Sequence, residues 1–173
     1  MRSAFLLFFA TACTLNLGSV DVGFDIPYDI PSQTVPGDAT ANAAGVVIDA
    51  TLPPFPVDID VAKSAQANGV SGAISTVTLT SLSLSTTDGN CFDFVQSLSI
   101  SISSTKSGSS LPEVVIATGS NPGCVQTFDL QANSSVNLKP YFDEGAEATP
   151  TVSGVPPATD ITFDGHLVAH ASL

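Results

Sequence analysis

The feature that most constrains the fold of this chain is a strict alternation of apolar and polar residues, repeated in several short segments. The clearest case is Ser97–Ser104, SLSISISS, in which Leu98, Ile100 and Ile102 share one face and serines occupy the other. A period of two places neighbouring side chains on opposite faces of an extended strand. The pattern therefore predicts half-buried β-strands.

The same alternation occurs near both ends of the chain. The segment Val20–Pro31, VDVGFDIPYDIP, places Val, Phe, Ile and Tyr on one face and Asp, Gly and Pro on the other. Pro27 and Pro31 have no N–H to donate to a neighbouring strand, so this segment is predicted to be an edge strand. The alternation over Ile161–Leu173 predicts a last strand inside the sheet.

A change of phase interrupts the strand predicted within Ser71–Thr87. Leu79 and Leu82 are three residues apart instead of two. A slip of one residue would turn every later side chain to the wrong face, and a β-bulge corrects it. We expect a bulge near Thr80 and Ser81.

Further strands are predicted between turn signals rich in Gly, Pro, Asn and Asp. They cover Gly45–Thr51, the stretch that opens at Val57, Pro112–Thr118, Thr127–Leu130 and Glu147–Val155. Val57, Ile59 and Val61 are expected to point inward, and Ser32–Ala44 to be a turn or loose connection. The apolar run Val114 to Ile116 predicts a strand covered on both sides or one near the middle of the sheet. The segment Asn133–Asp143 fits either a short helix, with Pro140 in its first turn, or the end of a strand.

These segments predict an all-β fold of about seven to nine short strands. Tryptophan is absent, only 12% of the residues are charged, and Ser, Thr and Val are abundant, which favours strands. The expected architecture is an antiparallel β-sandwich, with a closed β-barrel as the alternative. Residues 20–173 are predicted to form one domain.

The first thirteen residues, MRSAFLLFFATAC, have the composition of an export signal. Arg2 precedes an apolar run over Ala4–Ala10, and small residues lead to Cys13, which is the order of a secretory signal. A membrane span needs about 20 apolar residues, so this run is too short to cross a bilayer. An ordinary secretory signal, or the first strand of a cytosolic protein, would also account for it.

The last four of these residues, Ala10-Thr11-Ala12-Cys13, resemble the lipobox of bacterial lipoprotein precursors. The resemblance implies that residues 1–12 are a signal peptide, that Cys13 carries the lipid, and that residues 13–19 are a tether. It also implies a place in the bacterial cell envelope. In Gram-negative lipoproteins Asp directly after the cysteine favours the inner membrane, so Thr14 implies the outer membrane. The rest of the chain loosely resembles uncharacterised β-sandwich lipoproteins, and this likeness implies no functional residues.

The cysteine count agrees with that resemblance. The chain has three cysteines, and once Cys13 is assigned to the lipid, Cys91 and Cys124 form an even pair. In an oxidising compartment such a pair predicts a disulfide. The alternative is a pair of metal ligands, although no other Cys or His lies close to them in sequence.

The charge of the chain is strongly acidic. Its net charge is −12 and becomes −13 when Arg2 leaves with the signal. An acidic surface repels phosphates, so nucleic acid and anionic lipid headgroups are not expected partners. The membrane contact that we expect is the lipid on Cys13.

Few residues suggest chemistry. His166 and His170 would lie about 13 Å apart along a strand, too far to share one ion, and we expect two solvent-facing histidines with Asp164 beside His166. Asp58 and Asp60 on one strand face, and Asp143, Glu144 and Glu147 near a turn, supply oxygen ligands of the kind that Ca²⁺ prefers. Solvated acidic residues are the alternative, and no other cofactor is suggested.

Three functions remain open. The first is a non-enzymatic structural or protein-binding module at the outer membrane, with an unknown envelope or extracellular protein as partner. The alternatives are a carrier of an apolar ligand and a calcium-stabilised adhesion domain. An enzyme ranks last because no nucleophile, base and acid are recognisable together. A cavity of several hundred Å³ would favour the carrier, and a filled core with an exposed apolar patch would favour protein binding.

Overall fold

The computed structural model describes residues 23–173. This part of the chain forms the following strands and short helices: β1 Gly23–Val35, α1 Ala39–Ala44, β2 Ile48–Thr51, β3 Phe55–Val57, α2 Val61–Ala67, β4 Thr76–Thr86, β5 Val95–Ser104, β6 Val114–Ser120, β7 Thr127–Ala132, α3 Lys139–Glu144, β8 Ala146–Gly154 and β9 Ile161–Ser172. The predicted signal peptide, Cys13, the tether and the start of the first predicted strand lie outside the described residues.

The strands form one antiparallel sheet in the order β1-β9-β4-β7-β6-β5-β8-β2. β3 also pairs with β8, on the same edge as β2 and closer to the start of β8. The sheet curls so that the half made of β1, β9, β4 and β7 faces the half made of β6, β5 and β8 across one core. β7 joins the halves, because Leu130 pairs with β4 while Gln131 and Ala132 pair with β6. The prediction of an all-β antiparallel fold is confirmed.

The two free edges of the curled sheet approach each other without a shared backbone ladder. The Tyr28 hydroxyl on β1 donates a hydrogen bond to the Pro56 carbonyl oxygen on β3, at 2.9 Å. β1 pairs only with β9 among the described strands, and its register shifts between Ile30 and Gln33, at Pro31. The prediction of a proline-bearing edge strand is confirmed over the part of it that the structure describes.

The curled sheet has two ends. The N-terminal pole is the end where β1 begins and carries α2, α3 and the loops at 105–113 and 133–138. The disulfide pole is the opposite end and carries α1, the loops at 87–94 and 121–126, and the connection at 155–160. Each loop belongs to one pole because every paired strand runs antiparallel to its neighbour.

The predicted inward faces form the core. Leu98, Ile100 and Ile102 of β5 are buried, as are Leu79 and Leu82 on the two sides of the predicted bulge. The register of β4 against β9 shifts between Leu79 and Ser81, as the phase change predicts. The Thr80 hydroxyl at this bulge donates to the Val168 carbonyl oxygen at 2.9 Å.

Two segments predicted to be loop or strand are helical instead. Within Ser32–Ala44, β1 continues to Val35 and α1 follows, because the Asp38 carboxylate accepts the N–H groups of Thr40 and Ala41 at 2.9 Å. Asp60 ends the strand predicted from Val57 in the same way, since its carboxylate accepts the Lys63 N–H at 2.8 Å and starts α2. Asp is a favoured N-cap residue because it satisfies N–H groups that have no partner inside the helix.

The inward predictions for Val57, Ile59 and Val61 are correct even though only Val57 lies in a strand. Val115 is 43% exposed, so β6 is not covered on both sides; the alternative, a strand near the middle of the sheet, is correct, because β6 lies between β7 and β5. The ambiguous segment contains α3, with Pro140 in its first turn. Among residues 23–173, no helix is long and apolar enough to cross a bilayer.

Candidate functional site

The Cys91–Cys124 disulfide lies at the disulfide pole and confirms the predicted pairing. It joins the loop before β5 to the loop before β7 and closes a sequence separation of 33 residues. The Phe92 N–H donates to the Val125 carbonyl oxygen at 3.0 Å, which links the same two loops a second time. The bond therefore fixes the geometry of this end of the sheet.

An aromatic cluster packs beneath the disulfide. The ring of Phe92 is fully buried and lies 5.9–6.2 Å, centroid to centroid, from the rings of Phe94, Phe128 and Phe163. Phe92 and Phe94 belong to the loop before β5, Phe128 to β7 and Phe163 to β9, so the cluster packs that loop against one half of the sheet. Aromatic side chains buried together in this way contribute a large share of the packing energy, so the cluster stabilises this pole.

The interior of the curled sheet is filled. The void between its two halves measures about 10 Å³ and is lined by side chains such as Leu79, Leu82, Ile100 and Ile102. A small-molecule site of the usual kind needs roughly 300 Å³ or more. The void between the two halves is therefore too small to hold an apolar ligand.

An open groove lies at each pole, and a third, of about 490 Å³, lies on the sheet across β5, β6 and β7, where Ser97, Thr118 and Asp129 line it. A groove of about 480 Å³ at the disulfide pole is lined by polar groups, including Asn42, Asn90 and Asp93. A groove of about 600 Å³ at the N-terminal pole lies between α2 and the loop at 69–74, with Val61, Val70 and Ile74 among its lining residues. Lys139 and Asp143, an ion pair at 2.5 Å, border this second groove.

Three consecutive apolar residues are exposed between α1 and the end of β2. Val46 and Val47 are each 49% exposed and Ile48 is 42% exposed. Such a run is absent from the predicted functional residues, because the sequence pattern Gly45–Thr51 indicates only a strand. Recognising it requires knowing that β2 lies at the edge of the sheet, where its first residues are not covered.

The five calcium candidates are dispersed among ordinary interactions. Asp60 caps α2, Asp143 pairs with Lys139, and Glu147 accepts a hydrogen bond from the Ser103 hydroxyl across the strand pair, at 3.4 Å. Asp58 is exposed and lies in the short turn before α2, so Asp58 and Asp60 do not share a strand face. Among the described side chains, no group of three or more His, Cys, Asp or Glu could hold a metal ion.

Glu144 organises the loop that follows β5. Its carboxylate accepts hydrogen bonds from the hydroxyls of Ser109 at 2.6 Å and Ser104 at 2.8 Å, and from the Lys106 ammonium at 3.2 Å. These donors favour the ionised form, and the Ser109 bond contributes most to lowering the pKa of Glu144 below its ordinary value.

Nearby, burial raises the pKa of Tyr141, whose hydroxyl donates to the Pro112 carbonyl oxygen at 2.7 Å.

The histidines pair with aspartates of β1. His166 Nδ1 lies 2.8 Å from Asp29 Oδ1, and His170 Nδ1 lies 2.7 Å from Asp25 Oδ1. Each pair sits directly opposite in the β1–β9 register, so His166 bonds to Asp29 across the ladder. Residues opposite each other across a ladder are closer than residues two apart along a strand, such as Asp164 and His166.

Sequence and structure comparisons supply little. No family model matches the chain, and no curated protein is similar to it in sequence. A solved chain from Desmodium yellow mottle tymovirus aligns with 13% sequence identity and a TM-score of 0.31, over 100% of this chain and 94% of that chain. A TM-score of this size indicates neither a shared fold nor a shared function.

Proposed function

We propose that this protein is a lipid-anchored lipoprotein of the bacterial cell envelope, held at the outer membrane, and that its β domain is a non-enzymatic protein-binding module. The lipobox-like residues Ala10–Cys13 support the anchor, and Thr14 supports the outer membrane. The disulfide supports an oxidising compartment. The domain would then act at the membrane surface.

The observation that carries the binding assignment is a filled interior combined with an exposed apolar run. A void of about 10 Å³ gives the carrier alternative no support, whereas exposed Val46, Val47 and Ile48 form the kind of patch found at protein interfaces. The calcium-stabilised adhesion alternative has no such support, because the described candidate carboxylates do not come together in a group that could hold an ion. Binding to another envelope or extracellular protein is the function that these features support best.

Replacing the anchoring cysteine tests the location. We expect full-length Cys13→Ala expressed in a Gram-negative host to leave the membrane fraction after a high-salt wash, because two or more acyl chains are what makes attachment stable. As a matched control, Thr14→Asp should stay membrane-bound and move to the inner membrane. Retention of the Cys13→Ala protein would refute the anchor.

Photo-crosslinking tests the binding function. A photoreactive amino acid at position 47 of the lipidated protein, expressed in cells, should yield a discrete adduct with another protein. The matched control is position 115, which is comparably exposed on β6 and lies outside the run. Absence of any adduct at position 47, or equal adducts at both positions, would count against this surface as the binding site.

A further inference from the structure

Charge is unevenly distributed between the two poles. The three lysines of the chain, Lys63, Lys106 and Lys139, all lie at the N-terminal pole, on α2, in the loop after β5 and on α3. Two of them are paired there, Lys106 with Glu144 and Lys139 with Asp143. Among residues 23–173, the disulfide pole therefore contains carboxylates without any Lys or Arg.

The carboxylates of the disulfide pole are held by neutral donors. Asp38 caps α1, Asp160 Oδ1 accepts the Gly37 N–H at 2.8 Å, and Asp88 accepts the N–H groups of Asn90 and Thr162 at 3.0 and 3.3 Å. The backbone and side-chain hydrogen bonds from Asn90 lower the pKa of Asp88. Asp49 and Asp93 are exposed at the same end. Hydrogen bonds of this kind orient each charge but leave it uncompensated.

The apolar run and the polar groove adjoin within this acidic pole. α1 connects them, because Asn42 of α1 lines the groove and Val46 closely follows the end of the same helix. The Val46 N–H donates to the Ala41 carbonyl oxygen of α1 at 3.0 Å, which holds the start of the apolar run against the helix. Val125, beside the disulfide, is a further exposed apolar residue at this end. Apolar area, a groove with a carboxylate and net negative charge thus meet on one surface.

We propose that the disulfide pole binds a segment of a partner protein that carries both basic and apolar residues. The apolar side chains of that segment, similar in size to valine or leucine, cover Val46 and Val47. Its lysines or arginines face Asp49, Asp88 and Asp93. This inference rests on the proposed binding function and names the chemistry of the partner. Charge complementarity selects this occupant, because a second copy of the chain would bring like charges together. The pole also points away from the end where β1 begins, so an anchored domain would direct it away from the membrane.

A peptide of defined composition tests the proposal directly. The probe is a fluorescent ten-residue peptide of alternating Val and Lys, titrated into the full-length lipidated protein in neutral detergent and followed by anisotropy. The matched probes are Val alternating with Glu, to reverse the charge, and Ser alternating with Lys, to remove the apolar side chains. We expect the Val/Lys peptide to bind at least tenfold more tightly than either, with an affinity that falls as salt is raised.

Variants locate the binding surface. The double variant Val46→Thr/Val47→Thr and the double variant Asp49→Asn/Asp93→Asn should each weaken the Val/Lys peptide at least fivefold. The controls Val115→Thr and Asp58→Asn, which change an exposed valine and an exposed aspartate elsewhere, should leave it unchanged. Unchanged melting temperatures would show that all four proteins remain folded.

Several outcomes would overturn the proposal. These are equal binding of the Val/Glu peptide, equal weakening by the control variants, or a dimer of the chain that Val46→Thr/Val47→Thr dissociates. If peptide binding fails while the position-47 adduct persists in cells, the binding module stands and only the chemistry assigned to its partner is wrong. If both fail, the proposed function fails with it.

Discussion

At the scale of single residues, short polar contacts decide how the loops of this domain are held. Asp38 and Asp60 begin helices, Thr80 stabilises the bulge of β4, and Glu144 fixes the loop after β5. Each contact satisfies a backbone or hydroxyl group that the sheet itself does not pair. Local chemistry of this kind is why the loops of the described domain have defined conformations.

The contribution of Glu144 should depend on pH. Its pKa is lowered below the ordinary value of 4.5 in the folded protein, so its ionised form stabilises the fold above that value and this stabilisation is lost as pH falls through the folded pKa. We expect Glu144→Gln to lower the melting temperature at pH 7, and the difference from the parent protein to shrink as pH falls through the folded-state pKa of Glu144, in thermal unfolding by circular dichroism. The exposed control Asp58→Asn should match the parent throughout, and a pH-independent loss for Glu144→Gln would contradict the proposed cause.

Gly154 should tolerate no side chain. A Cβ at this position would lie 1.9 Å from the Phe94 carbonyl oxygen, so Gly154→Ala must push β8 and the turn before β5 apart. Overpacking of this kind costs about 1–3 kcal/mol or more. Gly123→Ala is the matched control, since Gly123 has φ +70° and open space around it, and the cost there is only left-handed strain of roughly 1 kcal/mol. Urea unfolding should rank the two in that order.

At the scale of elements, the disulfide and the strand pairs act on different states of the chain. The ladders stabilise the folded sheet, whereas the Cys91–Cys124 bond mainly restricts the unfolded chain across a separation of 33 residues. The Asp25–His170 and Asp29–His166 pairs connect the edge strand β1 to β9. The His166 side chain is 49% exposed as expected, whereas that of His170 is only 28% exposed. A side-chain hydrogen bond contributes about 0.5–1.5 kcal/mol, so these pairs assist the register without determining it.

Removing the disulfide should lower the stability measurably. For a loop of this length the chain-entropy relation gives about 3.7 kcal/mol. We expect Cys91→Ser/Cys124→Ser to lose roughly 3–4 kcal/mol in urea unfolding and to be insensitive to reductant, whereas the parent protein should lose a similar amount when reduced. Equal stability of the oxidised and reduced parent would show that the bond adds nothing to the fold.

At the scale of the whole molecule, a single filled core holds the two halves of the sheet together. Ile100 lies on the core side of β5 with 2% exposure, while Val47 is 49% exposed before β2. We expect Ile100→Ala to cost about 2–5 kcal/mol because the void it leaves cannot be refilled, and Val47→Ala to stay within about 0.5 kcal/mol of the parent. Chemical denaturation of both variants tests this, and a large loss for Val47→Ala would mean that the run belongs to the core rather than to a binding surface.

Most of the strands, their buried faces, the bulge of β4 and the cysteine pairing could be predicted from the sequence alone, although the strand predicted from Val57 is a turn and a helix. The strand faces and the bulge are local features, because a period of two fixes the face of every side chain and a phase slip must be corrected where it occurs. The cysteine pairing follows because two cysteines remain once Cys13 is assigned to the lipid. The helices α1 and α2 were missed although their capping aspartates are visible in the sequence. Both are short, and their residues also fit a loop or an alternating strand.

Three features could not be predicted from the sequence: which loops meet at each pole, which aspartates face the histidines, and the exposure of Val46 to Ile48. In an antiparallel sheet the pole of each loop depends on the number of chain reversals before it. Here β2 and β3 run in the same direction along β8, on either side of Pro53 and Pro54, and do not form a hairpin. If β2 and β3 were counted as two strands that reverse direction, every later loop would be assigned to the wrong pole. The separation of the lysines from the acidic disulfide pole therefore follows from the sheet topology and not from the alternation of apolar and polar residues.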